Sequence, residues 1–92
     1  MDAQIHMISA ATKVLSFTKE NPMAIDEEVF QNVSDYISGE RIKDEKTRRA
    51  MIAAASRAYE ITRKNPKLSE KDVIRVIMEE TPMILAQLIE ED

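Results

Sequence analysis

The chain has 92 residues, with 13 Lys+Arg against 17 Asp+Glu, one glycine and no cysteine. The missing thiols exclude disulfides, thiolate nucleophiles and thiolate metal sites, and a single glycine excludes Gly-rich phosphate loops. Surface scaling for 10.5 kDa leaves about 5,400 Å² exposed out of some 15,000 Å² unfolded, a marginal burial that oligomerisation would improve.

Apolar residues at helical spacing predict a first helix from about Ala3 to Glu20, with Ile8, Ala11, Leu15 and Thr18 recurring on one side. Asn21-Pro22 stops it, because proline moves the preceding residue out of the α region. The second helix begins near Asp26, whose carboxylate can accept an orphan amide, with Ile25 stapled onto Phe30. Val29, Val33 and Ile37 form its stripe, and Gly39 is expected to supply a left-handed stop. Asp44 opens the third helix, which runs to Lys64 and ends on Arg63-Lys64 before Asn65-Pro66. Ser69 with Asp72 resembles a capping box for the fourth helix, with Leu68 and Val73 at the staple positions. Thr81-Pro82 reads as an N-cap followed by proline at the first helical position, which predicts a short fifth helix over residues 82–90. Nothing alternates with a period of two, so the fold class is all-α.

A shift of 44 positions lays Met7-Ile8-Ser9-Ala10-Ala11 on Met51-Ile52-Ala53-Ala54-Ala55 and Asn21-Pro22 on Asn65-Pro66. Eight of the thirty positions from Met7 to Tyr36 are identical, where chance gives about two. The expected architecture is a compact helical bundle in one domain, 1–92. Two tandem helix-turn-helix repeats, 3–38 and 44–80, precede the C-terminal helix. Helical arrays usually need three or more repeats, so two copies predict a closed bundle or a dimer.

Charge falls in blocks: net -5 over residues 1–40, net +6 over 41–75, and five acids without a base over 76–92. On a helical wheel Lys43, Lys46, Arg49, Arg57 and Lys64 lie within about 120°, a basic ridge on an acidic protein. Such a ridge either tracks phosphates, meets an acidic partner, or is a solvated face laced with pairs such as Glu60 with Lys64. The pI near 5.0, the scarcity of aromatic residues and the acidic ends weigh against nucleic acid. Ala50, Ala53, Ala54, Ala55, Ser56 and Ala58 narrow the third helix for close packing within the chain or, less economically, between chains. Ile84, Leu85, Leu88 and Ile89 make the last segment apolar on nearly all sides, the candidate surface for self-association or a protein partner. Met7, Met23, Met51, Met78 and Met83 read as core filler.

The inventory for catalysis is thin. His6, the sole imidazole, lies in the first turns and reads as an exposed side chain. Asp26-Glu27-Glu28, Glu79-Glu80 and Glu90-Glu91-Asp92 diverge by 100° per residue and read as helix-end charge, not as metal ligands. No catalytic residue, cofactor or metal is assigned. Absence of a basic-then-apolar leader and of an apolar run near 18 residues leads to the expectation of a cytoplasmic protein without a membrane span.

Asp44 with Arg48 in the linker and Asn65-Pro66 in the second turn resemble the uncharacterised archaeal protein family numbered 0147, whereas Asn21-Pro22-Met23-Ala24 departs from its first turn. That resemblance implies a small all-helical fold and an archaeal, cytoplasmic setting, and it transfers no activity. The expected role is a non-enzymatic protein–protein interaction module, homodimeric and with an unknown protein partner. The alternative is a nucleic-acid accessory protein that binds through the basic ridge.

Overall fold

The computed structural model describes the backbone of residues 3–91 and the side chains of residues 3–88. It is all-helical over that range: α1 Ala3–Glu20, α2 Asp26–Gly39, α3 Glu45–Lys64 and α4 Glu70–Glu91. No helix among the described residues is long and apolar enough to cross a membrane.

The centre of the bundle is the contact between α1 and α3, the most extensive in the molecule. Ala10 and Ala11 on α1 and Ala50, Ala54, Ala55 and Ala58 on α3 are wholly buried, so the two backbones approach closely. Met7, Val14 and Met51 fill the space beside these alanines, and unbranched thioethers suit such irregular gaps. The flanking helices α2 and α4 each pack on both α1 and α3. They contribute Val29, Val33 and Ile37 from one side and Val73, Ile77, Ile84 and Leu88 from the other.

The turns between α1 and α2 and between α3 and α4 are built alike. Asn21 donates its backbone N–H (2.9 Å) and its Nδ2 (3.0 Å) to the Phe17 carbonyl, which closes the end of α1. Asn65 donates the same two groups to the Ile61 carbonyl at 2.9 and 3.4 Å. Each asparagine carbonyl then accepts from the residue three positions on, Ala24 or Leu68, at 3.0 Å. Asp44, expected as an acidic helix start, caps α3 by accepting from Lys46 N (3.3 Å) and from the hydroxyl of the buried Thr47 (2.7 Å). Ser69 Oγ accepts from Asp72 N at 3.1 Å, the forward half of the anticipated capping box.

Three expectations are corrected. Asp26 does not cap α2. Glu28 reaches back to the Ile25 N–H (2.9 Å), and Asp26, as the first helical residue, turns to α3. Gly39 does not turn left-handed either: it stays helical, and the positive φ falls on Arg41 at 56°. There the linker is tied down by Arg41 N to the Ser38 carbonyl (3.3 Å) and by the Arg48 guanidinium, which donates to the Ile42 carbonyl.

The third correction is the largest: no fifth helix starts at Thr81-Pro82, because α4 runs through Pro82 without interruption. The reason is the apolar register. Val73, Ile77, Thr81, Ile84 and Leu88 recur every three or four residues on the buried side of α4, and the proline falls on the exposed side. Continuity of that stripe outweighs the lost amide and the ring's clash with the Met78 carbonyl. Thr81, itself buried, satisfies its hydroxyl by donating to the Ile77 carbonyl at 2.8 Å.

Because Pro82 lies inside a continuous helix, where it removes one backbone hydrogen bond, Pro82→Ala is expected to raise stability by about 1–3 kcal/mol in urea denaturation. A helix that began at this proline would leave the same change neutral or unfavourable. An added Cβ at Gly39 meets open space, and Arg41 holds a conformation better suited to glycine. Gly39→Ala and Arg41→Gly are each expected to add about 0.5–1 kcal/mol, read as higher thermal midpoints.

Candidate interaction surface

The outer side of α3 forms the floor of a valley with α2 on one bank and α4 on the other. Ala53 and Ser56, both small, set its depth. Down the valley runs a chain of ion pairs. Arg57 meets Glu80 of α4 in a two-pronged contact, Nε to Oε1 at 2.8 Å and Nη2 to Oε2 at 2.9 Å. Its third nitrogen, Nη1, donates to Glu60 Oε1 at 2.9 Å, and Glu60 Oε2 accepts from Lys64 Nζ at 3.2 Å. Glu80, and then Glu60, therefore push the Arg57 pKa above its ordinary value.

On the α2 bank, Tyr59 of α3 stands edge-on to Phe30, with ring centroids 5.7 Å apart at 84°. The Tyr59 hydroxyl donates to Asp26 Oδ1 at 2.6 Å, and that carboxylate holds the phenol above its usual range. Arg63 donates to the same carboxylate at 3.1 Å and lies over the Tyr59 ring at 5.6 Å from its centroid. Phe30, Tyr59 and the two arginines outline a groove of about 770 Å³.

The predicted basic ridge is consequently not one stripe of uncompensated charge. Arg57 and Lys64 are paired to Glu80 and Glu60. Lys43 precedes α3, so it holds no place on that helix's wheel. Lys46 is exposed and Arg49 half-buried near the other end of α3. The wheel could not register this, because the neutralising carboxylate of Glu80 comes from a different helix.

The predicted C-terminal surface is also placed differently. Ile84 (8 % exposed) and Leu88 (9 %) belong to the chain's own core, and Leu85 packs partly against it. Ile89 lies in α4 but its side chain is outside the described residues. Leu88→Asp would therefore place a charge in the core and could not report on a partner. Of the methionines read as core filler, Met7 and Met51 are buried, whereas Met23, Met78 and Met83 are at least half exposed. His6 is half-buried. Among the described residues no group of three or more His, Asp or Glu is arranged to hold a metal ion.

A second groove, of about 1070 Å³, lies at the end of the bundle between the two turns. Asn21, Pro22, Ala24, Ile25 and Glu27 edge it on one side; Pro66, Leu68 and Glu70 edge it on the other. The sequence does carry one signal for it. Met23-Ala24-Ile25 is an apolar run in a turn, where Gly, Asn, Asp or Ser would ordinarily stand. No family model, curated protein or solved structure matches the chain.

The shifted carboxylates set the acid limb of stability. Arg57 holds Glu80 below its usual range, Arg57 and then Lys64 lower Glu60, and the Thr47 hydroxyl lowers Asp44. A folded pKa below the unfolded one gives stability that is present above the ordinary carboxylate values of 3.8 to 4.5 and is lost as pH falls through the folded values. Glu80→Gln is expected to cost about 1 kcal/mol at neutral pH, with the difference from wild type shrinking as urea midpoints are followed to pH 3. A difference independent of pH would show that the Arg57–Glu80 pair does not supply this stability.

Proposed function

We propose that this chain is a non-enzymatic protein–protein interaction module that acts as a homodimer. The observation that carries the reading is the apolar surface left outside the bundle: Met23, Ile25 and Leu68 around the turns, and Met78 and Met83 along α4. A chain this short has little apolar area to spare, and such surface is stabilising only when something covers it. The shifted carboxylates support a non-catalytic role, because Asp44 caps a helix and Glu60 and Glu80 sit in ion pairs. The pairing of Arg57 and Lys64 within the chain supports a protein partner over a phosphate backbone.

The module is, on this reading, a duplicated helical hairpin. Burial repeats at the 44-residue shift: Met7 with Met51, Ala10 with Ala54, Ala11 with Ala55, Val29 with Val73 and Val33 with Ile77 are all buried pairs. The matching Asn-Pro turns support it further, as does Lys13 over the Tyr36 ring at 5.9 Å where Arg57 meets Glu80 in the second half. The cytoplasmic, archaeal setting rests on the resemblance carried by Asp44, Arg48 and Asn65-Pro66.

Two measurements test the reading together. Sedimentation equilibrium in the micromolar range is expected to give the mass of a dimer. Titration with generic DNA or RNA between 50 and 200 mM salt is expected to show no steeply salt-dependent binding. A monomer that binds nucleic acid tightly at low salt would overturn the proposal.

A further inference from the structure

The helices fall into two hairpins, α1 with α2 and α3 with α4, and only the connection over residues 40–44 joins them. The contact of α1 with α3, the most extensive in the molecule, crosses from one hairpin to the other. So do the contacts of α1 with α4 and of α2 with α3, the last fastened by Arg63 Nη1 on Asp26 Oδ1 at 3.1 Å. The two hairpins complete one core between them, and neither fills it alone. Nothing in that requirement specifies that both belong to the same chain.

The three connections differ in one respect. Pro22 and Pro66 keep Asn21 and Asn65 out of the α region, so neither Asn-Pro turn can straighten into helix. The middle connection holds no proline: Gly39 is already helical, and Glu40 follows in the right-handed region at φ -77° and ψ -11°. The chain leaves that region at Arg41, where a residue with a Cβ sits left-handed at φ 56°. Straightening residues 40–44 removes that strain and joins α2 to α3 in one helix. On such a helix α3 runs on from α2 instead of folding back beside it, so α1 cannot reach the α3 of its own chain.

The sequence of the connection suits a helix. Arg41 with Glu45 stands at i, i+4 and Glu40 with Lys43 at i, i+3, spacings at which opposite charges support one. Ile42 is the only large apolar residue over 39–49, and a polar surface all round fits a helix that crosses solvent between two packed units. Two bonds hold the closed form: Asp44 caps Lys46 N, and the Arg48 guanidinium donates to the Ile42 carbonyl. A continuous helix replaces both at once, because the Ile42 carbonyl then accepts from Lys46 N.

We propose that the homodimer forms by exchange of hairpins: residues 40–44 straighten, and α1 and α2 of each copy pack on α3 and α4 of the other. The proposal rests on the homodimer reading and names how its two copies join. The exchange is reciprocal, so association closes at two copies.

Its signature is one that no surface-to-surface dimer shares. Residue 26 faces residue 63 of the partner subunit and not of its own chain. Asp26→Arg therefore sets like charges together in a dimer of itself, as Arg63→Asp does, whereas a mixed dimer of the two variants has opposite charges at both sites. The two variants are unfolded together in urea, refolded by dilution and read by native mass spectrometry. Mixed dimers are expected to exceed the two like dimers combined by about threefold or more. In sedimentation equilibrium of the full chain over a dilution series, wild type is expected to dimerise. Arg41→Gly is expected to raise the dissociation constant by at least about tenfold, since glycine relieves the left-handed turn of the closed chain and weakens the straight helix. Circular dichroism is the control for folding, with helical content expected to match wild type in all three variants. Mixed dimers only equal to the two like dimers combined would overturn the exchange and leave the homodimer reading standing. A dissociation constant indifferent to Arg41→Gly would do the same. Wild type that stays monomeric at every concentration would overturn both.

Discussion

The close contact of α1 with α3 is the constraint from which the other features follow. Six buried alanines form its seam, so the backbones approach closely but each side chain removes little apolar area from water. The fully buried core has no aromatic ring; its largest members are Met7, Met51 and Ile77. A thin core of this kind depends on the flanking helices to complete it. That dependence is why α4 keeps its stripe in register across Pro82, where breaking the helix would have withdrawn Ile84 and Leu88 from the core. The cost of one proline is bounded at a few kcal/mol, whereas losing two large aliphatic side chains from a small core costs more.

The helix ends that were legible in the sequence are those fixed by local chemistry. Asn21-Pro22 and Asn65-Pro66 stop their helices through bonds within four residues, and Asp44 and Ser69 cap through bonds within three. The misplaced expectations have a shared cause: a tertiary preference outbid a local one. Asp26 is a good cap by residue type, but Tyr59 and Arg63 on α3 offer its carboxylate stronger, partly charged partners, and Glu28 takes the capping role. Gly39 could have turned left-handed, yet continuing the helix through it gives the Glu40 amide carbonyl partners at Tyr36 and Ile37, so the turn moves to Arg41. Thr81-Pro82 reads as a helix start only to an eye that stops at four residues; the burial pattern spans sixteen.

The surface was less legible than the fold, for a reason specific to charge. A helical wheel places side chains on one cylinder and is blind to the cylinders beside it. On α3 alone Arg57 is a member of a basic stripe; beside α4 it is the centre of a four-residue network with as many carboxylates as cations. The same blindness affected the apolar C-terminal segment. Ile84, Leu85, Leu88 and Ile89 surround the helix axis in sequence, but α4 turns Ile84 and Leu88 inward onto the core.

What the bundle leaves outside is then a consequence of what it buries. The seam of alanines leaves no room for larger side chains between α1 and α3, so Met23, Ile25 and Leu68 cannot be absorbed there. They sit instead on the turns, the part of a helical hairpin that makes the fewest demands on residue size. Turns built from Asn-Pro leave their following positions free of any requirement for positive φ, and no residue in either turn needs one. Polar residues would therefore serve the fold equally well at Met23 and Ile25. Apolar residues therefore stand at Met23 and Ile25 without any demand from the turn backbone, which is why a reading of turn chemistry alone does not anticipate them.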